Sequence, residues 1–156
     1  MRRLLALIAL CAISALPARA ETRVEVGLLD CVVEAGSGFI IGSSKRLSCS
    51  FDPADGRPVE RYSGRVKKFG LDIGRTARTV IKWIVLAPTA AAYQPGALAG
   101  SYVGASAEVT AGVGVGANAL VGGSNKTFVL QPVSVQAQEG LNLAVGFSSF
   151  ELHTVP

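Results

Sequence analysis

Histidine and cysteine, the side chains that most often carry nucleophilic catalysis or bind transition metals, are nearly missing from this sequence. Its 156 residues include one histidine, His153, and three cysteines. The sequence therefore offers few residues from which a Ser-His-Asp or Cys-His catalytic site could be built. No group of histidines and cysteines has the ligand spacing of a zinc site. We expect no catalytic residue, no metal and no cofactor, and we expect that the protein is not an enzyme.

Excess positive charge is also lacking once the amino terminus is set aside. A basic start, a short apolar run and a small-residue ending predict that residues 1–20 are a signal peptide, cleaved after Ala20. Three of the fifteen basic residues lie there, which leaves twelve against eleven acidic ones. This balance gives no reason to expect a nucleic-acid partner. We expect residues 21–156 to form one exported domain in the periplasm, with release from the cell as the alternative.

Helical periodicity is scarce, and strand-type alternation takes its place. Between residues 103 and 117 every odd position is Val or Ala, while the even positions hold only glycine and polar residues. This alternation predicts a strand with its odd face buried and, because the segment is long, a bend near Gly112. Val24–Val33 is apolar on both faces, and so is Val80–Leu86 apart from Lys82, which predicts strands in the middle of a sheet. Only Thr89–Tyr93 has the alanine content of a helix, and it spans barely one turn.

Two breaks in alternation predict β-bulges. The apolar positions change parity near Lys67 and Lys68, and they change again at Ser148 and Ser149. Turn residues divide the chain into about eight short strands. The sequence therefore predicts an all-β domain of about eight antiparallel strands, either a sandwich or a small closed barrel. The repeated bulges favour the barrel, because a sheet needs them in order to curl.

The cysteines agree with export. Cys11 lies in the predicted leader, so the mature chain keeps Cys31 and Cys49. An even pair in an oxidising compartment predicts one disulfide. This bond would close a loop of about nineteen residues and stabilise the fold by about 3 kcal/mol.

Positive charge is concentrated in one part of the chain. Residues 45–82 hold ten basic against four acidic side chains. Arg61, Arg65 and Lys67 share strand parity and are expected to project from one sheet face. Together with Lys68 they are the candidate binding residues, and they suit anionic lipid head groups or an envelope polymer. The same charges also suit a solvated face that keeps an edge strand from pairing with other molecules.

Other motifs have competing explanations. Asp52 and Asp55 are close enough to share a cation, but their segment also has the Asp, Pro and Gly of a tight turn. The glycines of residues 112–116 lie in an alternating strand without the helix that a dinucleotide site requires. A barrel lined by small residues would leave an interior cavity for an apolar ligand, whereas the same residues also allow tight packing.

Several motifs, taken in order, resemble a known family. They are Cys31, Gly38–Ser44, Cys49–Phe51, Lys68–Gly74, Gly96–Gly100 and Leu130–Pro132. These segments resemble an uncharacterised family of small secreted alphaproteobacterial proteins, domain of unknown function 992. The resemblance implies an envelope location and supplies no catalytic residue. The Tyr102–Gly123 stretch is also similar, more loosely, to lipid-binding domains of the SYLF type.

These observations predict an exported, non-enzymatic module of the cell envelope with a binding or structural role. The alternative is a periplasmic protein that binds lipid or another apolar ligand, using a barrel cavity and the basic face.

Overall fold

The alternation of apolar and polar side chains makes almost every described segment of this protein a strand. The computed structural model describes residues 21–34, 36–37, 44–68, 75–76, 78–104, 119–137 and 147–156. Two single turns of 3-10 helix, Ala90–Ala92 and Ser124–Lys126, accompany the strands. The strands are β1 (Val24–Val33), β2 (Gly36–Ser37), β3 (Ser44–Pro53), β4 (Glu60–Lys68), β5 (Arg75–Thr76), β6 (Thr79–Ala87), β7 (Gly100–Gly104), β8 (Leu120–Gly122), β9 (Phe128–Ala137) and β10 (Phe147–Thr154).

Eight of these strands form a closed antiparallel barrel in the order β1-β3-β4-β10-β7-β8-β9-β6, and β2 pairs with β5 in a separate two-stranded sheet. The all-β prediction is confirmed, and the structure decides for the barrel over the sandwich. Closure gives each barrel strand a partner on both sides, so the barrel has no open edge to protect. Among the described residues, no helix has the length and apolar composition needed to cross a lipid bilayer.

The two strands that were predicted from their apolar runs are confirmed and are neighbours. β1 and β6 pair from Val24 opposite Ala87 to Val33 opposite Thr79. Inward positions such as Trp83 are fully buried, whereas Leu28 on the outer face is 44% exposed. Their apolar character on both faces therefore comes from a packed interior and from an outer surface that is itself partly apolar.

Large side chains occupy the interior of the barrel. The fully buried aromatic residues include Trp83, Tyr62, Tyr102, Phe51, Phe128 and Phe150. The Phe150 ring meets Trp83 and Tyr102 edge to face, with centroids 5.7 and 5.9 Å apart. An eight-stranded barrel is just wide enough for side chains to fill it. The described interior therefore favours a packed core over a ligand cavity.

Register shifts mark three bulges in the described part of the barrel, at Val26 of β1, at Ser148 of β10 and at Val133 of β9. Phe147 pairs with Lys68 and Ser149 with Lys67, so Ser148 is an extra residue in β10. This confirms the bulge predicted at Ser148 and Ser149. The bulge predicted near Lys67 and Lys68 is not in β4, which pairs with β3 without a register shift up to Lys67; the extra residue at this level belongs to β10. Another of the three bulges falls beside Pro132 in β9, where it accommodates a residue that lacks a backbone N–H.

The predicted burial of the odd face is wrong at its first residue. Val103 is 58% exposed, whereas Tyr102 is fully buried. The Tyr102 ring packs on Phe150, and its hydroxyl donates a 2.8 Å hydrogen bond to the Leu98 carbonyl. Burying the large tyrosine ring stabilises the fold more than burying the smaller valine side chain would. β7 ends at Gly104, which pairs with Leu120 of antiparallel β8, so the chain reverses between them; the predicted bend at Gly112 lies outside the described residues.

The predicted disulfide is present. Cys31 and Cys49 lie directly opposite each other in β1 and β3, with their Cα atoms 4.1 Å apart. Both residues are buried in the core. The predicted signal peptide lies outside the described residues and stays a prediction.

Candidate functional site

The basic residues chosen from the sequence lie on β4. Arg61 and Arg65 are exposed on the outer face of this strand. The residues that follow each of them, Tyr62 and Val66, point into the core. Neither arginine forms an ion pair with any other residue that the structure describes. Lys67 and Lys68 occupy the last two positions of β4, and their side chains lie outside the described part. Among the described residues, Arg61 and Arg65 therefore present two guanidinium groups without an ion pair on one face.

Other basic residues of the same zone have structural partners. Arg57 pairs with Asp55 at 2.9 Å, and its guanidinium lies 5.4 Å from the centroid of the Tyr93 ring. Lys82 pairs with Asp30 of β1 at 3.1 Å. The charge cluster seen in the sequence is therefore divided in the fold, and its β3–β4 part places Arg46, Arg61 and Arg65 on one outward face.

A groove on this outer surface brings six polar side chains together in two rows across β3, β4 and β10. Arg46 lies opposite Arg65, which lies opposite Glu151, and Ser48 lies opposite Ser63, which lies opposite His153. We call these six residues the polar groove. Its volume is about 450 Å³, and Glu34 also lines it.

Two ion contacts modify the charge of the polar groove. Arg46 pairs with Glu34 at 3.1 Å, but their side chains are 77% and 51% exposed, so this contact contributes about 0–1 kcal/mol at most. The Glu151 carboxylate lies 3.5 Å from His153 Nε2 and forms no ion pair with Arg65. Arg65 is therefore the least neutralised charge in the groove.

The polar groove contains a serine, a histidine and an acid but does not arrange them as a catalytic triad. A triad joins the serine to the histidine by a hydrogen bond, with a buried acid orienting the ring. Within the described residues no hydrogen bond joins Ser63 to His153, and the His153 and Glu151 side chains are 65% and 51% exposed. The geometry suits recognition of a polar group better than activation of a nucleophile.

A second polar group closes one end of the barrel. The hydroxyls of Tyr62 and Tyr93 and the backbone N–H of Gly96, at 3.0 Å, all donate to the Glu60 carboxylate. The Tyr93 ring also meets Phe51 edge to face at 5.1 Å. We call Arg57, Glu60, Tyr62, Tyr93 and Gly96 the barrel-end cluster. It fastens the segment that follows β6 to the start of β4.

The electrostatics of the barrel-end cluster indicate a structural role. Burial raises the pKa of Glu60, but hydrogen bonds from Tyr62, Tyr93 and Gly96 and the charge of Arg57 outweigh it and hold the pKa below its ordinary value of 4.5. Burial, together with Glu60, raises the pKa of both tyrosines. At neutral pH the carboxylate is ionised and the hydroxyls are protonated. Neither group has a pKa close to the working range of a general base.

Of the two aspartates with competing explanations, Asp55 lies in a tight turn, while Asp52 is an exposed residue of β3 just before it. Gly56 has a φ of +78°, and its N–H donates to the Pro53 carbonyl at 3.2 Å. The Asp55 carboxylate accepts the Arg57 backbone N–H at 3.1 Å, which is an Asx-turn. In the described part of the chain, no three side chains of His, Cys, Asp or Glu are grouped so as to hold a metal ion.

The family model described as Protein of unknown function (DUF992) matches residues 10–153. The chain belongs to this family. No curated protein and no solved structure matches it significantly. The DUF992 match carries no activity or ligand, and neither the alphaproteobacterial range nor the similarity to SYLF-type domains follows from it, so both stay predictions.

Sequence reasoning about this DUF992 chain missed two sets of residues. Arg46 belongs to the polar groove, and its alternation with buried Leu47 and Cys49 was the signal that could have found it. The barrel-end cluster joins Glu60 to Tyr93, thirty-three residues away. Only the two-residue spacing of Glu60 and Tyr62 was visible, because the path of the later segment is a tertiary property.

Replacing Glu60 by glutamine is expected to lower the free energy of unfolding by about 2 kcal/mol at pH 7, since hydrogen bonds to a charged group are lost. The native pKa lies below 4.5, so the ionised carboxylate stabilises the fold above that pH, and this contribution disappears as the pH falls through the native pKa. Urea unfolding at several pH values between 7 and 3 should show that the difference in free energy of unfolding between the native chain and Glu60→Gln becomes smaller as the pH falls. Asp52→Asn, an exposed carboxylate of β3, serves as the control, and a pH-independent difference for Glu60→Gln would contradict the assignment.

Proposed function

We propose that this barrel is an exported, non-enzymatic binding module of the cell envelope, and that it attaches to anionic surfaces through the outer face of β3 and β4. The observation that carries this proposal is the pair of exposed arginines on β4, Arg61 and Arg65, neither of which has an ion pair among the described residues. Four residues of an extended strand span about 13 Å. Two cations at this spacing suit an extended anionic surface or polymer with repeated charges.

The envelope location is supported by two features. The leader-like residues 1–20 predict export, and a buried disulfide between Cys31 and Cys49 is typical of an oxidising compartment. The alternative function, transport of an apolar ligand inside the barrel, gains less support, since Trp83, Tyr102 and Phe150 pack against one another where a ligand would lie.

The test is binding to lipid vesicles, with the protein expressed with its leader and purified from the periplasm. Arg61→Gln/Arg65→Gln should weaken binding to phosphatidylglycerol vesicles by about 30-fold at low salt, because each basic side chain near an anionic membrane contributes about 1 kcal/mol. Binding of the native chain should fall as NaCl rises.

The matched control is Lys82→Gln/Lys126→Gln, which changes the net charge equally at exposed residues outside this face. It should bind nearly as well as the native chain. Equal binding by the arginine variant and the native chain, or equal losses in both variants, would overturn the proposal.

A further inference from the structure

Within the basic outer face, one place is suited to a single anionic group. Arg46 and Arg65 lie directly opposite each other on adjacent strands, and side chains in such positions have Cβ atoms about 4.5–5.5 Å apart. We infer that the polar groove is a binding site for a phosphate group, either a free phosphate ester or a lipid head group. This inference rests on the proposed function, because it assigns one site inside the same face.

The donors in the polar groove match phosphate better than carboxylate. Each guanidinium offers a planar fork of N–H donors, and Ser48 and Ser63 in the next row each add a hydroxyl. A carboxylate presents two oxygens, which one arginine fork already satisfies. A phosphate ester presents several more acceptor sites around a tetrahedral centre, so both forks and both hydroxyls are able to donate to it.

The electrostatics of the groove also favour an anion. Like charges directly opposite each other on adjacent strands destabilise a sheet, and an anion between Arg46 and Arg65 would relieve this repulsion. Glu34 already neutralises part of this charge by pairing with Arg46. Because that ion pair is exposed and weak, a bound anion is able to replace the Glu34 carboxylate beside Arg46. Glu151 opposes anion binding, although its carboxylate lies 3.5 Å from His153 Nε2 and forms no ion pair with Arg65.

The groove has room for more than the phosphate itself. At about 450 Å³, the space would also take part of the group esterified to the phosphate. Gly64, which has the inward parity of Tyr62 and Val66, lines the groove from β4 with its backbone.

The experiment is an NMR titration of the 15N-labelled chain with two probes, inorganic phosphate and the phosphodiester dimethyl phosphate, at constant ionic strength. Amide signals of Ser48, Ser63 and Arg65 are expected to shift in a saturable manner. Arg46→Gln and Arg65→Gln should each weaken phosphate binding by about tenfold or more, the loss expected for a hydrogen bond to a charged group. Glu34→Gln should strengthen it by up to about fivefold, since an exposed competitor is removed.

Lys126→Gln is the control, because Lys126 is an exposed cation in the turn Ser124–Lys126, outside both the polar groove and the outer face of β3 and β4; the affinity of this variant for phosphate should stay within about twofold of the native value, since a distant exposed charge is largely screened. The unchanged amide signals of buried residues would show that each variant is folded. Binding of both probes identifies a phosphodiester such as a lipid head group, and binding of inorganic phosphate alone identifies a free phosphate or monoester.

Two results would overturn the inference. One is the absence of saturable shifts in the polar groove with either probe, and the other is native affinity in Arg46→Gln and Arg65→Gln. If Arg61→Gln/Arg65→Gln still loses vesicle binding in that case, the proposed surface function survives and only the phosphate site is lost. If vesicle binding is also unaffected, both proposals fail.

Discussion

Gly64→Ala is expected to lower the free energy of unfolding by about 3 kcal/mol, the upper part of the range for overpacking. A β-carbon at residue 64 would lie 1.8 Å from the backbone carbonyl oxygen of Glu151 and 3.3 Å from Leu47 Cδ1. The first contact involves backbone, so it is relieved only by moving β4 away from β10. Because β10 also pairs with β7, this movement would disturb the closed barrel.

Urea unfolding of the purified variant measures this effect. Gly56→Ala is the matched control, because a β-carbon there meets nothing within 4 Å while the φ of +78° still disfavours alanine. That variant should lose only about 1–2 kcal/mol, the strain of a left-handed residue. If Gly64→Ala loses no more than Gly56→Ala, the close approach of β4 and β10 is not as described.

The same substitution tests how the polar groove is built. Ser63 and Arg65 flank Gly64, and they lie opposite His153 and Glu151 of β10. A wider gap between β4 and β10 would move Ser63 away from His153 and Arg65 away from Glu151. The pairing of β3 with β4, which places Arg46 opposite Arg65, would be kept. Any folded fraction of Gly64→Ala should therefore show altered amide signals along β10.

Removing the disulfide is expected to have an effect of similar size. Cys31→Ala/Cys49→Ala should lower the free energy of unfolding by about 3 kcal/mol, since the bond restricts the unfolded chain across a loop of this length. The two residues are 18 positions apart and lie opposite each other in paired strands. The folded barrel holds them together without the bond, so the main loss comes from the greater freedom of the unfolded state.

Urea unfolding of the native chain with and without a strong reductant separates the bond from its sulfur atoms. The reduced native chain keeps both buried sulfurs, so it should be slightly more stable than the double alanine variant and clearly less stable than the oxidised chain. Because both residues are buried, reduction should be slow until the barrel opens. Equal midpoints for the oxidised and reduced chains would contradict the expected contribution.

The outer face of β4 shows what the alternation of residues along a strand is able to predict. The parity of Arg61 and Arg65 predicted that they share a face, and both are exposed on the outer side of that strand. Parity alone failed at Val103, because the strand turns its tyrosine inward at Tyr102. Where two apolar side chains compete for the interior, the larger ring decides, and its partner Phe150 belongs to a strand far along the chain.

The sequence by itself determined that the domain is built of strands, where β1 and β6 lie, and that a bulge falls at Ser148, because alternation and turn residues act over short distances. It also determined the pairing of Cys31 with Cys49, because the predicted mature chain has only these two cysteines. Tertiary structure alone decided that the sheet closes, that Arg46 lies opposite Arg65, and that Tyr93 reaches Glu60. Strand order and register depend on which distant segments pack together, and that choice is a property of the whole core.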